Sequence, residues 1–259
     1  MNIWIIILLA IVQGATEFLP VSSSGHLVLL YKIFGINNER IFLSVILHLA
    51  TLISVVIYYR KSIIKLIKQP FCHTNIMLAV STLITCVIAL VFKKFIENSF
   101  EGRHIGLGFI ITAIILIISQ LRTKESNFRS FDITNLNISL KQSIYIGVAQ
   151  GLACFPAISR SGSTIASGLI VGCNKEEVTE FSFLLSIPII IASTIMEIVD
   201  IINKPAILDF SFPILTLGFI IAIVVGLLSI QFMTKLVKKQ KLYYFSFYLL
   251  LIAIVSFIV

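Results

Sequence analysis

Long apolar runs constrain this chain more than any other feature. Ile41–Tyr59 contains 19 residues without a formal charge, and a helix that crosses a membrane needs about 20 apolar residues. Asp, Glu, Lys and Arg make up only 12% of the chain, against roughly 25% in soluble domains. This composition excludes a soluble globular protein and a disordered chain. Because the apolar stretches are continuous rather than alternating, they predict an all-α integral membrane protein.

Six runs have the length of a spanning helix. They are Ile41–Tyr59, Ile76–Phe92, Ile105–Leu121, Phe181–Val199, Phe210–Thr234 and Leu242–Val259.

Two further apolar regions, 3–36 and 144–173, are interrupted near their middle. The first breaks at Pro20–Ser24 and the second at Pro156–Arg160. Each region predicts a re-entrant pair of half-helices, which enters and leaves the membrane on the same side. The sequence therefore predicts six transmembrane helices and two re-entrant helix pairs.

The two interrupted regions resemble each other. Without a gap, Gln13–His26 matches Gln150–Ser163 at six of fourteen positions, with an offset of 137 residues. Each region precedes three apolar runs, so the single membrane domain 1–259 divides into halves 1–121 and 141–259. A re-entrant pair crosses the membrane zero net times and three spans cross it an odd number of times. The second half is therefore predicted to be an inverted-topology repeat of the first.

The basic residues predict how the chain is oriented. Of the 20 Lys and Arg residues, 13 fall in segments 60–73, 122–141, 172–177 and 235–241, and six fall on the other face. Since cytoplasmic loops are enriched in Lys and Arg, these segments are predicted to be cytoplasmic and both termini to lie outside. The net charge of +8 comes without a basic helix face and interleaved aromatic residues, so no nucleic-acid partner is predicted.

Arg160 is a charged residue inside an apolar stretch. Such a charge near the bilayer centre costs about 2.5–3.5 kcal/mol or more, so Arg160 either reaches the lipid headgroups or binds an anion. A guanidinium can bind two phosphate oxygens at once, and the N-terminus of a helix attracts anions. Hydroxyl groups follow nearby in Ser159, Ser161, Ser163 and Thr164. This combination predicts a phosphate site.

The first interrupted region supplies complementary groups. Gln13 and Glu17 are four residues apart and share one helix face. Glu17 could pair with Arg160 in a structural role or hold a divalent metal. His26 suits proton transfer near neutral pH, and a serine needs such a base to become a nucleophile. His48, within an apolar span, is either a satisfied core residue or a functional one.

Both regions resemble signatures of the bacitracin-resistance type undecaprenyl-diphosphate phosphatases. One family signature is Glu or Gln, three residues, Glu and then Phe-Leu-Pro-x-Ser-Ser-x-Gly-His, and it matches Gln13–His26. The other is Pro-Gly-x-Ser-Arg-Ser-Gly-x-Thr, and it matches Pro156–Thr164 with Ala157 in place of Gly. Leu47–Leu52 and Glu180–Pro188 add support, and the resemblance covers essentially the whole chain.

The resemblance implies hydrolysis of undecaprenyl diphosphate to undecaprenyl phosphate and inorganic phosphate. This reaction recycles the lipid carrier for cell-wall synthesis and confers bacitracin resistance. The resemblance further implies a multi-pass inner-membrane enzyme, a site accessible from the periplasmic side, and a divalent cation, Mg²⁺ or Ca²⁺. The implied catalytic residues are Glu17, Ser23, His26 and Arg160, with Glu17 also the metal ligand. The implied substrate-binding residues are Gln13, Ser22, Ser159, Ser161 and Thr164.

Two positions depart from the family pattern, and several alternatives stay open. Ala157 carries a Cβ that disfavours a positive φ, so we expect its turn to differ. Gln13 removes one candidate carboxylate ligand. Attack by Ser23, with His26 as its base, and direct attack by water both fit the residues. The sequence also fits a secondary transporter or lipid-phosphate flippase, because inverted repeats suit alternating access, and it leaves open whether the chain forms a homodimer.

Overall fold

The computed structural model describes residues 2–36, 40–99, 105–122, 131–203, 212–239 and 241–258. Within these ranges the chain folds into helices without a strand. The helices are α1 (Ile3–Phe18), α2 (Ser23–Ile33), α3 (Arg40–Tyr58), α4 (Arg60–Lys68), α5 (His73–Val91), α6 (Lys93–Ser99), α7 (Ile105–Arg122), α8 (Leu140–Leu152), α9 (Arg160–Ile170), α10 (Lys175–Asn203), α11 (Phe212–Lys238) and α12 (Tyr244–Ile258). Arg103, Lys124, Arg129 and Lys204, which contribute to the predicted orientation, lie outside the described residues, as does much of segment 122–141.

Five of these helices are long and apolar enough to cross a membrane: α3, α5, α7, α10 and α11. The sixth predicted span is shorter than expected, because residues 242 and 243 form a turn and α12 begins at Tyr244. α1 and α12 are apolar but have only 16 and 15 residues. The all-helical membrane class is thus confirmed.

The distribution of polarity is that of a membrane bundle. On α5, Leu83 and Leu90 are more than 65% exposed, whereas Ser81 and Thr85 are buried. The two buried hydroxyls donate hydrogen bonds to backbone carbonyls of α8 at 2.7 and 3.1 Å. Small and hydroxyl-bearing residues therefore join the helices, as is typical of packing inside lipid.

Equivalent helices of the two halves pack in equivalent ways. α1 packs along α11, and its counterpart α8 packs along α5, while α7 contacts α12 and α3 contacts α10. Gly14 lets α1 approach the backbone of α11, and Gly147 lets α8 approach the backbone of α5, because a Cβ at either glycine would come within 2.8 Å of a carbonyl oxygen. These close approaches fix α1 against α11 and α8 against α5, which are two of the long apolar helices.

α2 and α9 share their length and the hydrogen bonds that cap both of their ends. α2 and α9 each have 11 residues and begin 137 positions apart. The hydroxyls of Ser22 and Ser159 cap them by accepting a bond from the backbone N–H three residues later. Both end at a glycine with positive φ, Gly35 and Gly172, and the next N–H bonds the carbonyl five residues earlier. This is the Schellman arrangement, in which glycine adopts the left-handed conformation without a steric penalty.

The turn before α9 corrects the expectation for Ala157. Its Cβ does not prevent a left-handed backbone, since φ is 61°. The methyl group is buried and lies against Gly25 and Gly108, where a Cβ on either glycine would come within 2.9 Å of it. The absence of side chains at these two glycines leaves the space that Ala157 needs.

Candidate active site

Glu17 forms the centre of a polar cluster at the end of α1. Its side chain is 5% exposed. Ser23 donates its hydroxyl to Glu17 Oε2 at 2.5 Å, and Gln13 Nε2 donates to the same oxygen at 3.0 Å. The Arg160 guanidinium donates to Oε1. Four of the residues predicted from the sequence thus meet at one carboxylate, and they come from both halves of the chain.

The two half-helices bring their N-termini to this carboxylate. Ser23 is the first residue of α2 and Arg160 is the first residue of α9. Helix N-termini carry a partial positive charge and unpaired N–H groups, which favour anions. The Arg160 side chain is 15% exposed, three times the exposed fraction of Glu17. Arg160 is therefore the more exposed partner of this ion pair.

Three of the four hydroxyls predicted for the second half bond groups of the protein, whereas Ser163 Oγ is buried without a hydrogen-bond partner among the described residues. Ser159 Oγ caps α9, and Ser161 Oγ donates to the carbonyl of Leu19 at 3.0 Å, which ties the two interrupted regions together. Thr164 Oγ1 bonds the Arg160 carbonyl at 2.9 Å and shares a hydrogen bond with Ser182. In this arrangement their hydroxyls bond groups within the protein, and they position Arg160.

His26 is not hydrogen-bonded to Ser23, which corrects the predicted pair. Its Nδ1 lies 2.8 Å from the carbonyl oxygen of Ser22, and its Nε2 lies 2.7 Å from the hydroxyl of Tyr248. The ring lies parallel to that of Tyr248, with centroids 5.7 Å apart, and is in T-shaped contact with Phe109. Because both ring nitrogens are bonded elsewhere, the nearest proton acceptor to the Ser23 hydroxyl is the carboxylate and not the imidazole.

Three residues join the site that the sequence motifs did not assign. His48 Nε2 lies 3.9 Å from Glu17 Oε2, so the polar residue within an apolar span belongs to the cluster. Thr112 Oγ1 accepts the backbone N–H of Ser159 at 3.0 Å. Tyr248 contacts His26. His48 could be suspected from its place in an apolar run, whereas Thr112 and Tyr248 carry no local signal.

The donors fit a divalent cation only if a phosphate ligand shares it. Among the described residues, no group of three His, Cys, Asp or Glu side chains is placed to hold a metal. Gln13 Oε1 is buried and has no hydrogen-bond partner within the described part of the chain. Together with the Glu17 carboxylate it offers hard oxygen donors, and Mg²⁺ is commonly held by one or two carboxylates plus substrate phosphates.

A buried carboxylate and an arginine are hydrogen-bonded to each other beside the N-termini of α2 and α9 in a helical, multi-pass membrane protein. The chain belongs to the bacitracin resistance protein BacA family, whose model matches residues 6–255. The undecaprenyl-diphosphatase of Carboxydothermus hydrogenoformans is 38% identical over 256 residues, covering 98% of this chain and 96% of the relative. That of Methanosphaera stadtmanae is 38% identical and covers 97% and 96%. Undecaprenyl-diphosphatase 1 of Shouchella clausii is 35% identical and covers 97% and 94%. The family resemblance is confirmed.

Proposed function

We propose that this protein hydrolyses undecaprenyl diphosphate to undecaprenyl phosphate and inorganic phosphate. The observation that best supports this proposal is the Glu17 carboxylate, which accepts hydrogen bonds from the Arg160 guanidinium and from the hydroxyl of Ser23 at the same time. Transport requires groups that bind a phosphate but not a hydroxyl paired with a proton acceptor, so this pair favours hydrolysis over transport. The relatives' names agree with this activity, which recycles the lipid carrier and confers bacitracin resistance.

Substrate binding begins with an exchange of partners at Arg160. The incoming diphosphate carries more negative charge than one carboxylate, and a guanidinium can bind two of its oxygens. Arg160 therefore moves from Glu17 Oε1 to the phosphate, and the N-termini of α2 and α9 face the same group. The exchange leaves the Glu17 carboxylate without its cation, which makes it a better proton acceptor.

The released carboxylate then activates Ser23. Glu17 Oε2, 2.5 Å from Ser23 Oγ, accepts the hydroxyl proton as Oγ attacks the terminal phosphorus. The bond between that phosphorus and the bridging oxygen breaks, and undecaprenyl phosphate leaves with the electron pair and takes the proton from Glu17. Water, deprotonated by Glu17, next attacks the phosphoserine. The bond from phosphorus to Ser23 Oγ breaks, Oγ regains the proton from Glu17, and inorganic phosphate is released. In the competing route Glu17 deprotonates a water that attacks the diphosphate directly; trapping of a phosphorylated Ser23 peptide after a rapid quench distinguishes the two.

Mg²⁺ or Ca²⁺ would be held by the Oε1 atom of Gln13 and by the Glu17 oxygen that Arg160 vacates, and the other Glu17 oxygen would still accept the Ser23 proton. When bound, the cation would supply further neutralisation of the phosphate charges. Positioning and charge neutralisation are the main means of catalysis in phosphoryl transfer.

The same proposal includes six spanning helices and two re-entrant pairs as inverted halves 1–121 and 141–259 of one domain. The duplicate capping of α2 and α9 and the equivalent packing of α1 and α8 support it. We place the protein in the inner membrane with the site open to the periplasm. The bias of basic residues supports this orientation, since it puts the entry of the first re-entrant pair outside the cytoplasm.

The test is phosphate release from undecaprenyl diphosphate by purified protein, with and without a chelator. Arg160→Lys keeps the charge but cannot bind two phosphate oxygens in a bidentate manner, so activity should fall by about tenfold or more. Lys94→Gln, on the exposed helix α6, is the matched control and should retain turnover. Release of no phosphate by the wild type, or near-normal turnover of Arg160→Lys, would overturn the proposal.

A further inference from the structure

The hydrogen bonds of His26 fix which nitrogen carries its proton. Nδ1 faces the carbonyl oxygen of Ser22 at 2.8 Å, and a carbonyl can only accept, so Nδ1 is the protonated nitrogen. Nε2 then has a free lone pair, and the hydroxyl of Tyr248, 2.7 Å away, donates to it. A neutral imidazole has only one donor and one acceptor, so both are used.

The Ser22 carbonyl belongs to a residue with an unusual backbone conformation. Ser22 has a positive φ of 68°, a conformation that costs a non-glycine residue about 1–2 kcal/mol. Its carbonyl accepts from the backbone N–H of His26 at 3.3 Å as well as from the ring. Ser23 follows this turn, and its hydroxyl donates a hydrogen bond to Glu17. The imidazole therefore stabilises the turn that orients Ser23, the proposed nucleophile.

We infer that Tyr248 is a positioning residue for this turn. The Tyr248 hydroxyl donates to His26 Nε2 and so maintains the tautomer that carries its proton on Nδ1. This Nδ1–H group donates a hydrogen bond to the Ser22 carbonyl. Loss of the tyrosine hydroxyl releases the constraint, because the proton can then move to Nε2. The Nδ1 lone pair would then face the Ser22 oxygen, and repulsion would loosen the turn before Ser23.

The contributions of the Tyr248 hydroxyl and of the Tyr248 ring can be tested separately. The two rings are parallel within 5° with centroids 5.7 Å apart, so Tyr248→Phe keeps an aromatic ring beside the imidazole and removes only the donor. Tyr248 comes from α12, 222 positions away from His26 in the chain. The last helix of the second half thus acts on the nucleophile of the first half through one hydrogen bond.

The decisive measurement is the tautomer of His26 in protein labelled with ¹⁵N-histidine. The chain has four histidines, and the signals that disappear in His26→Gln identify this one. We expect protonated Nδ1 and unprotonated Nε2 in the wild type, and a mixture of both tautomers in Tyr248→Phe. Tyr244→Phe, one turn earlier on the same helix, is the matched control and should leave the tautomer unchanged.

Kinetics give a second, independent readout. The positioning role rests on the proposed nucleophile, so Tyr248→Phe should lower kcat by about tenfold with KM changed by less than about twofold. A wild-type His26 protonated on Nε2, or an unchanged tautomer and kcat in Tyr248→Phe, would overturn the inference. The NMR result does not depend on turnover, so failure of the proposed activity and failure of this inference are distinguishable.

Discussion

Replacing Glu17 by Gln should separate substrate binding from turnover. The change is nearly isosteric and removes one negative charge, which leaves Arg160 facing a neutral amide. Removing one partner of a buried ion pair costs about 3–5 kcal/mol. Because the Arg160 side chain is 15% exposed and that of Glu17 only 5%, water can compensate the arginine in part, so we expect about 3 kcal/mol of lost stability.

An anion that binds Arg160 should recover part of this loss. In the wild type a diphosphate must displace Glu17 from the guanidinium, whereas in Glu17→Gln it meets no competing carboxylate. Recovery of about half of the 3 kcal/mol corresponds to about tenfold tighter binding. Turnover should nevertheless be abolished, because Ser23 no longer has a carboxylate to accept its proton.

A methylene-bridged diphosphonate of a short polyprenol is the suitable probe, since it cannot be hydrolysed. Calorimetric titration with a chelator present measures its affinity without a contribution from the proposed metal ligand Glu17, and thermal denaturation with and without the probe measures stability. Asp200→Asn, which also removes one acidic charge from an exposed position, is the control and should change neither. Weaker binding of the probe to Glu17→Gln than to the wild type would refute the exchange of partners at Arg160.

Three further outcomes are expected. Ser23→Ala should abolish phosphate release while the affinity for the diphosphonate, measured by calorimetry, stays within about twofold; retained turnover would favour direct attack by water. Ala157→Gly should raise the denaturation temperature slightly, because relief of about 1–2 kcal/mol of left-handed strain exceeds the loss of one buried methyl group, about 0.8 kcal/mol; a lower temperature contradicts this. In a cysteine-free background, Lys94→Cys should react with an impermeant maleimide in intact cells and Lys68→Cys only after permeabilisation, and the reverse pattern would invert the proposed orientation.

Local sequence predicts the parts of this fold whose causes are local. A run such as Ile76–Phe92 forms a spanning-length helix because length and apolarity are sufficient in lipid. Ser22 and Ser159 cap their half-helices at the same offset because a capping hydroxyl needs only the next three residues. The repeat in the sequence is therefore matched by a repeat in the hydrogen bonds that cap α2 and α9.

The partners within the site depend on contacts that spacing alone does not determine. Ser23 and His26 are three positions apart, a spacing that allows a contact on a helix. The Ser23 hydroxyl nevertheless bonds Glu17, and the imidazole bonds the preceding turn and Tyr248. The sequence allows Glu17 either to pair with Arg160 or to hold a divalent metal. It does not decide between them, because the pairing depends on how the two halves pack together. Long-range packing settles these choices.

The two half-helices also bear on how such a site could arise. Ser23 and Arg160 occupy equivalent positions, as do Glu17 and Cys154. A half-length ancestor that paired with an inverted copy of itself would present the same residue twice, either two nucleophiles or two cations. Joining the copies in one polypeptide allows each position to mutate independently of its counterpart. The proposed base and nucleophile could then specialise in one half and the proposed phosphate-binding arginine in the other, so covalent linkage would allow an asymmetric site between two similar halves.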